Sequence, residues 1–415
     1  MRHIKTGLLA GLVAASMMPA MAATTLIKNA TIYTQTAQGV LQQSSVLFEN
    51  GTIVQVGDYD GSADTVIDAK GAIVTPGLIG TMNQLGLIEV DAVSSSADVG
   101  TDKANAAFDP SLAFNPKSSL IPLARKGGIT RNVVAPTYSH SVIAGQLKAV
   151  NLSGELEGSV HSEPVAVVSY LGASSEDSRA VALAKLRHQL EDLQQYLTKK
   201  KTDEDAKSDL SERERVVMER VAMGELPLVI YVDRAADILQ VIELKTELGV
   251  ELVINSGMES WVVAEQLAAA NVPVILNALA ALPSNFDSLN ASLHNAQRLE
   301  QAGVDVIIAE SGDRNHRLYQ LRFQAGHAVA NGLTFEQALS AVTSTPAEVF
   351  GLTDVGQIAP GKRADLVLWS HDPLDLQGAV EKLWIDGKDA STQSRQDALR
   401  DRYMMKSDMP KAYLK

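Results

Sequence analysis

Eight histidines and no cysteine limit the catalytic repertoire of this 415-residue chain. Without a thiol there is no cysteine nucleophile and no thiolate metal ligand. His161, His188, His294, His316 and His327 are scattered, and none forms a pair at the spacing a metal-ligand set uses. His140, in Pro136-Thr137-Tyr138-Ser139-His140-Ser141, and His316 each follow an apolar run that reads as a strand, which makes them candidates for proton transfer at a strand end. Ser139 sets a hydroxyl beside His140, yet neighbours on one strand face opposite ways, so the two do not make a nucleophile–base pair. Gly127-Gly128 and Gly145 belong to no Walker or G-x-G-x-x-G pattern, which argues against nucleotide chemistry.

Such groups need a scaffold, and the middle of the chain supplies one by alternation. Apolar runs at 130–134, 165–169, 228–232, 252–254, 274–276 and 306–309 read as buried parallel strands. Amphipathic runs at 235–248, 261–270 and 289–302 lie between them, and repeated βα units predict a barrel or a doubly wound sheet. A charged helical stretch from 174 to 224, containing Lys199-Lys200-Lys201, predicts a solvated helical hairpin inserted between two strands; a lid or docking arm is its functional alternative. Before the barrel, short β-like runs from Thr24 to Val74 are broken by Asn50-Gly51, a strong hairpin signal. The same texture returns at 364–369 and 380–385 before Asp386-Gly387, so both ends are expected to meet in one composite β-domain.

With 46% hydrophobic and 20% charged residues, the composition is that of an ordinary folded protein rather than a disordered or fibrous one. Arg2 and Lys5, an apolar run from Gly7 to Ala15 and the ending Ala20-Met21-Ala22 have the layout of a secretory leader, too short to anchor in a bilayer. The expectation is export to the periplasm, where the absence of cysteine is also in keeping with an oxidising space. A net charge of −13, more negative still once that leader is removed, argues against nucleic acid or an anionic membrane as a partner.

Val74-Thr75-Pro76-Gly77-Leu78-Ile79 resembles the strand that opens the barrel of amidohydrolase-superfamily enzymes. Thr345-Pro346-Ala347, Pro360-Gly361-Lys362-Arg363-Ala364-Asp365-Leu366-Val367 and Trp384-Ile385-Asp386-Gly387 are similar to the C-terminal stretch of the imidazolonepropionase-like subgroup. The resemblance implies an α/β fold, a (β/α)8 TIM-like barrel plus a small β-sandwich domain built from both termini. Its expected layout is a signal peptide over 1–22, the β-domain over 23–75 and 352–390, the barrel over 76–351 with the insert at about 174–225, and a tail over 391–415.

The resemblance also implies chemistry: the family's first strand ends in His-x-His and, with later histidines and an aspartate, holds divalent metal that makes hydroxide available at neutral pH. Here Met82 and Gln84 fall at the two imidazole positions, Tyr231 and Asp233 at a His-x-His-Arg position followed by Arg234, and Asn255 or Ser256 at the next ligand position. The family aspartate aligns with Gly312, with Asp313 or Glu310 brought in by a shift of register. Thioether and amide groups are poor ligands for a dication, so no metal ligand is assigned although the family implies a divalent metal. The site expected instead has Asp233, Asp313 and His140 as acid–base candidates and Gln84, Met82, Tyr231, Asn255 and Arg234 against a small-molecule ligand. The loop 139–146 resembles a substrate-side loop of the subgroup. The functional expectation is a hydrolase of non-peptide carbon–nitrogen bonds. The alternatives are a catalytically silent binding protein and a subunit paired with an intact paralogue, and oligomers are common in this superfamily.

Overall fold

The computed structural model describes residues 23–405 apart from 91–92, 102, 140, 172–177, 204–206, 281, 284 and 311–314. The leader, His140 and Asp313 lie outside the described residues. Five strands come first: β1 (Thr24–Tyr33), β2 (Val40–Glu49), β3 (Thr52–Gly57), β4 (Thr65–Asp68) and β5 (Ile73–Pro76). Asn50 and Gly51 have φ of +49° and +85°, and Glu49 faces Thr52 directly, so the two-residue hairpin forms where the dipeptide favours positive φ at both positions.

The second sheet contains β6 (Leu78–Asn83), β7 (Ile129–Val134), β8 (Ile143–Asn151), β9 (Ala166–Tyr170), β10 (Leu228–Val232), β11 (Leu252–Ser256), β12 (Val274–Leu276) and β13 (Val306–Ile308), in that spatial order. Alternate residues separate into two cores. Ile79, Val133, Val168, Val229, Val253, Ile275 and Ile307 fill the inside of the curled sheet, while Leu78, Ile129, Val167, Leu228, Leu252, Val274 and Val306 pack outward. Strands apolar on both faces are what helices covering a parallel sheet require. The curl closes without a ninth strand: Ile308 N–H donates to the Ala341 carbonyl (3.0 Å) and Ile79 N–H to the Val342 carbonyl (2.8 Å), so this short segment bridges β13 and β6.

Eight strands form the barrel, but one breaks the (β/α)8 repeat. β8 runs antiparallel to both β7 and β9, and the loop expected over 139–146 enters that strand at Ile143. Its polar residues are buried against loops, Gln146 Nε2 donating to the Ala106 carbonyl (3.2 Å) and Lys148 Nζ to the Ser162 carbonyl (2.6 Å). The insert does form two helices, Arg179–Lys200 and Glu212–Ala222. They are not a detached arm: Leu186, Leu190, Leu193, Val217 and Val221 join the outer apolar core.

The chain returns to the first sheet with β14 (Leu366–Trp369), β15 (Val380–Ile385) and β16 (Lys388–Asp389), giving the order β16-β15-β14-β5-β1-β2-β3, with β4 beside β1. Both ends of the sequence thus build one sheet around Ile27, Ile32, Phe48, Val74, Leu366 and Trp384. Its junction with the barrel explains the C-terminal motifs. Arg131, on β7, is clamped by Asp365 (Nε–Oδ2 2.6 Å, Nη2–Oδ1 3.1 Å) and by Asp386 (2.6 Å), and Arg363 also reaches Asp386 (2.8 Å). Gly128, at φ +82°, gives the turn before β7 and leaves room for Trp369, whose indole a Cβ there would meet at 2.3 Å.

Candidate functional site

A cavity of about 680 Å³ opens where the barrel strands end. This is the face at which barrel enzymes build their sites, because the loops that follow the strands converge there. β6 contributes Met82 and, one residue beyond its end, Gln84; β9 gives Tyr170, β10 gives Tyr231 with Asp233 just after it, and β11 gives Asn255 and Ser256. Tyr138 follows β7, Asn277 follows β12, and Glu310 follows β13, with Arg317, Gln320 and Gln324 closing the far side.

The end of β6 is irregular for a local reason. Thr81 pairs with Val133 and Asn83 with Val134, which leaves Met82 as a bulge; it is buried and has φ +54°. A side chain held in the left-handed region costs about 1–2 kcal/mol, and the surrounding structure has to hold it there. Part of that hold is visible: Asn83 and Asn132 exchange amide hydrogen bonds of 2.7 and 2.9 Å, and Gln84 N–H donates to Asn315 Oδ1 (2.8 Å). Ser256, at the end of β11, has φ +79°, so two strained residues flank one cavity.

Asp233 sits half-buried beside that second strained residue. Its carboxylate accepts from Met258 N–H (3.2 Å) and from the Ser256 hydroxyl. Burial raises its pKa, the two hydrogen bonds oppose the rise, and the charges of Asp287 and Glu259 add to it. Burial also raises the Tyr231 phenol against a hydrogen bond with Ser256, and Tyr170 is raised by burial and by Tyr231. Both rings therefore stay neutral donors at physiological pH. Tyr170 stacks on Tyr231 (5.7 Å between centroids, 27°) and meets Tyr138 edge-on (5.9 Å, 89°), which makes one wall of the cavity aromatic. Opposite in character is Glu310, buried and accepting from the Gln324 amide, whose oxygen in turn accepts from Leu279 N–H (3.1 Å).

Five of the residues expected at the site, Met82, Gln84, Tyr231, Asp233 and Asn255, meet in this cavity. Arg234 does not. It begins the helix Ala235–Leu248, and its guanidinium lies 3.7 Å from Asp237 in a separate groove with Arg179, because the residue after Asp233 turns away from the barrel axis. Ser139 donates to the Ala104 carbonyl (2.9 Å), and exposed His316 is outside the cavity wall. Tyr170 and Tyr138 escaped the sequence reading, although Tyr170 closes an apolar run in the same way as Tyr231. Among the described residues no three His, Cys, Asp or Glu side chains converge as a metal site.

Residues 321–389 match the model of the amidohydrolase family. The fold agrees over nearly the whole chain with that of an amidohydrolase from Thermotoga maritima: TM-score 0.80, 25% identity, 88% of this chain and 99% of that one covered. The chain belongs to the amidohydrolase superfamily. Imidazolonepropionase of Geobacillus kaustophilus is 24% identical over 80% of this chain and 85% of its own length. Amidohydrolase tasK of Hapsidospora irregularis is 26% identical over 75% of this chain, which spans only 37% of that protein's length. Within this amidohydrolase the motif that matches the family model carries Asp365 and Asp386, the residues that clamp Arg131, at the end of the barrel away from the cavity.

Proposed function

We propose that this amidohydrolase is exported to the periplasm and acts at the barrel mouth on small molecules with a non-peptide carbon–nitrogen bond, without a resident dication. The observation that carries the reading is the set of groups at the strand ends. A thioether (Met82), two carboxamides (Gln84, Asn255) and a phenol (Tyr231) supply neither the charge nor the basic nitrogen that zinc-type ions need, so these residues do not fit the family's metal. The chemistry left to the chain is general-base catalysis. Asp233, with its raised pKa, takes a proton from water as the water oxygen attacks the carbon; the carbon–nitrogen bond then breaks and the departing nitrogen takes the proton. The neutral Tyr231 hydroxyl and the Gln84 and Asn255 amides are the donors available to the developing oxyanion.

The test combines metal analysis with turnover of mature protein isolated from its native compartment. Metal far below one equivalent, and hydrolysis of amides, lactams or ureides that a chelator leaves unchanged, are expected. Asp233→Asn should lower kcat by roughly 10²–10⁴-fold, the range of a positioned base. Stoichiometric zinc, iron or manganese overturns the reading. A second reading, a subunit working beside an intact paralogue, is favoured by the tasK match, in which the shared region is about a third of a longer protein. Recovery of a second amidohydrolase in equal amount from the native source would support it.

A further inference from the structure

We infer that the mouth cavity selects organic cations, a flat ring bearing an ammonium or amidinium group, over neutral and anionic molecules of the same shape. The inference rests on the metal-free reading of the same cavity and deepens it by naming the charge of the ligand.

Three observations converge on it. First, Asp233 and Glu310 both line the cavity, and the hydrogen bonds they accept come from neutral donors: the Met258 N–H and Ser256 hydroxyl for one, the Gln324 amide for the other. Among the described residues neither carboxylate is in an ion pair, unlike Asp365 or Asp386 at the other end of the barrel. Second, the wall beside them is aromatic, and the faces of stacked Tyr170 and Tyr231 carry the negative side of the ring quadrupole. Third, Arg317 is the one basic side chain among the described lining residues, and it is exposed and in no ion pair with Asp233 or Glu310.

A carboxylate with no cation beside it in a partly desolvated cleft makes the local potential negative, and low-dielectric walls focus that field. A ligand cation is drawn by that potential and gains cation–π attraction where it meets a ring face. An anionic ligand meets the same groups as repulsion and is left without a counter-charge. In a barrel that holds a dication, the metal would supply this positive charge. Here the ligand has to bring it.

Equilibrium binding of three single-ring probes of similar size to the mature protein tests the idea: benzylammonium, benzyl alcohol and benzoate. Benzylammonium should bind at least about tenfold more tightly than benzyl alcohol, with benzoate weakest, as expected for a cation gaining charge and ring contacts together. The double variant Asp233→Asn/Glu310→Gln should abolish that preference, bringing the affinities of benzylammonium and benzyl alcohol together. If the double variant does not fold, Glu310→Gln alone should at least halve the preference, and raising salt on the unaltered protein should weaken benzylammonium but not benzyl alcohol. Benzoate binding as well as benzylammonium, a preference that survives both substitutions, or no binding by any probe overturns the inference. Metal content measured on the same sample separates the failures. Stoichiometric metal removes the reading beneath the inference, whereas metal-free protein without a cation preference removes the inference alone.

Discussion

The two ends of the barrel handle buried charge in opposite ways. At the end facing the composite sheet, Arg131 sits between Asp365 and Asp386, and burial alone would lower its pKa. The two carboxylates more than offset that and raise its pKa above the ordinary value, while against burial Arg131 and Arg363 hold the Asp386 carboxyl below the usual carboxylate range. At the mouth Asp233 is half-buried, yet no cation approaches it within ion-pair distance among the described residues, and its pKa moves up. Backbone strain does not divide this way: Met82 and Ser256 at the mouth and Asp386 in the clamp all have left-handed φ. The difference separates a site optimised for folding from one that keeps unsatisfied groups for something else to satisfy.

The largest effect should come from breaking the satisfied end. Arg131→Met leaves Asp365 without an ion-pair partner among the described residues and Asp386 with Arg363, and loss of one partner from such a buried cluster costs about 3–5 kcal/mol. Urea unfolding should show that loss. A cost below about 1 kcal/mol would mean that Arg363 can take over the cluster and that the two ends differ less than their geometry implies.

The same contrast explains what could be read from the sequence. The Asn50-Gly51 hairpin, the apolar parallel strands and the union of the two ends were legible because each follows from local backbone preference or from a face that must be buried. β8 was not, because Ile143–Asn151 mixes Gln146 and Lys148 into an apolar run, and their burial depends on loop carbonyls far along the chain. At the mouth the strand ends were legible but the turns beyond them were not. Asp233 reaches the cavity while Arg234, one residue on, faces a different groove once the helix begins. The aromatic wall was missed because Tyr138 and Tyr170 come from separate segments and become one feature only when β7 and β9 are brought together around β8.

A smaller effect tests whether every acid at the satisfied end is in fact satisfied. Glu300 lies near the C-terminus of the helix Asn295–Ala302 with Asp305 close by, and burial, then that like charge, pushes it up to about 7 from 4.5. A raised carboxyl takes up protons on folding, so its stabilisation is full below pH 4.5 and disappears as pH rises to about 7. Glu300→Gln should therefore match the parent at pH 4 and be more stable at pH 8, by about 1 kcal/mol once solvent screening of this partly exposed group is allowed for. Thermal unfolding at the two pH values measures it, and an equal difference at both would assign the gain to packing rather than charge.

The smallest effect on stability is expected at the residue with the largest effect on function. Asp233→Asn keeps one acceptor oxygen for the Met258 N–H and the Ser256 hydroxyl and removes a charge that burial disfavours. The parent's stabilisation from this carboxyl is present below its ordinary value of 3.8 and lost as pH rises through the elevated one, so the variant should gain slightly at neutral pH and nothing at pH 3.5. The gain should stay under about 1 kcal/mol, within the range of substitutions that disturb no packing. Measured beside Arg131→Met, this pair of variants should separate folding from function at opposite ends of one barrel. A clear loss of stability in Asp233→Asn would instead make Asp233 a structural anchor for the strained turn at Ser256, and would take it out of the chemistry.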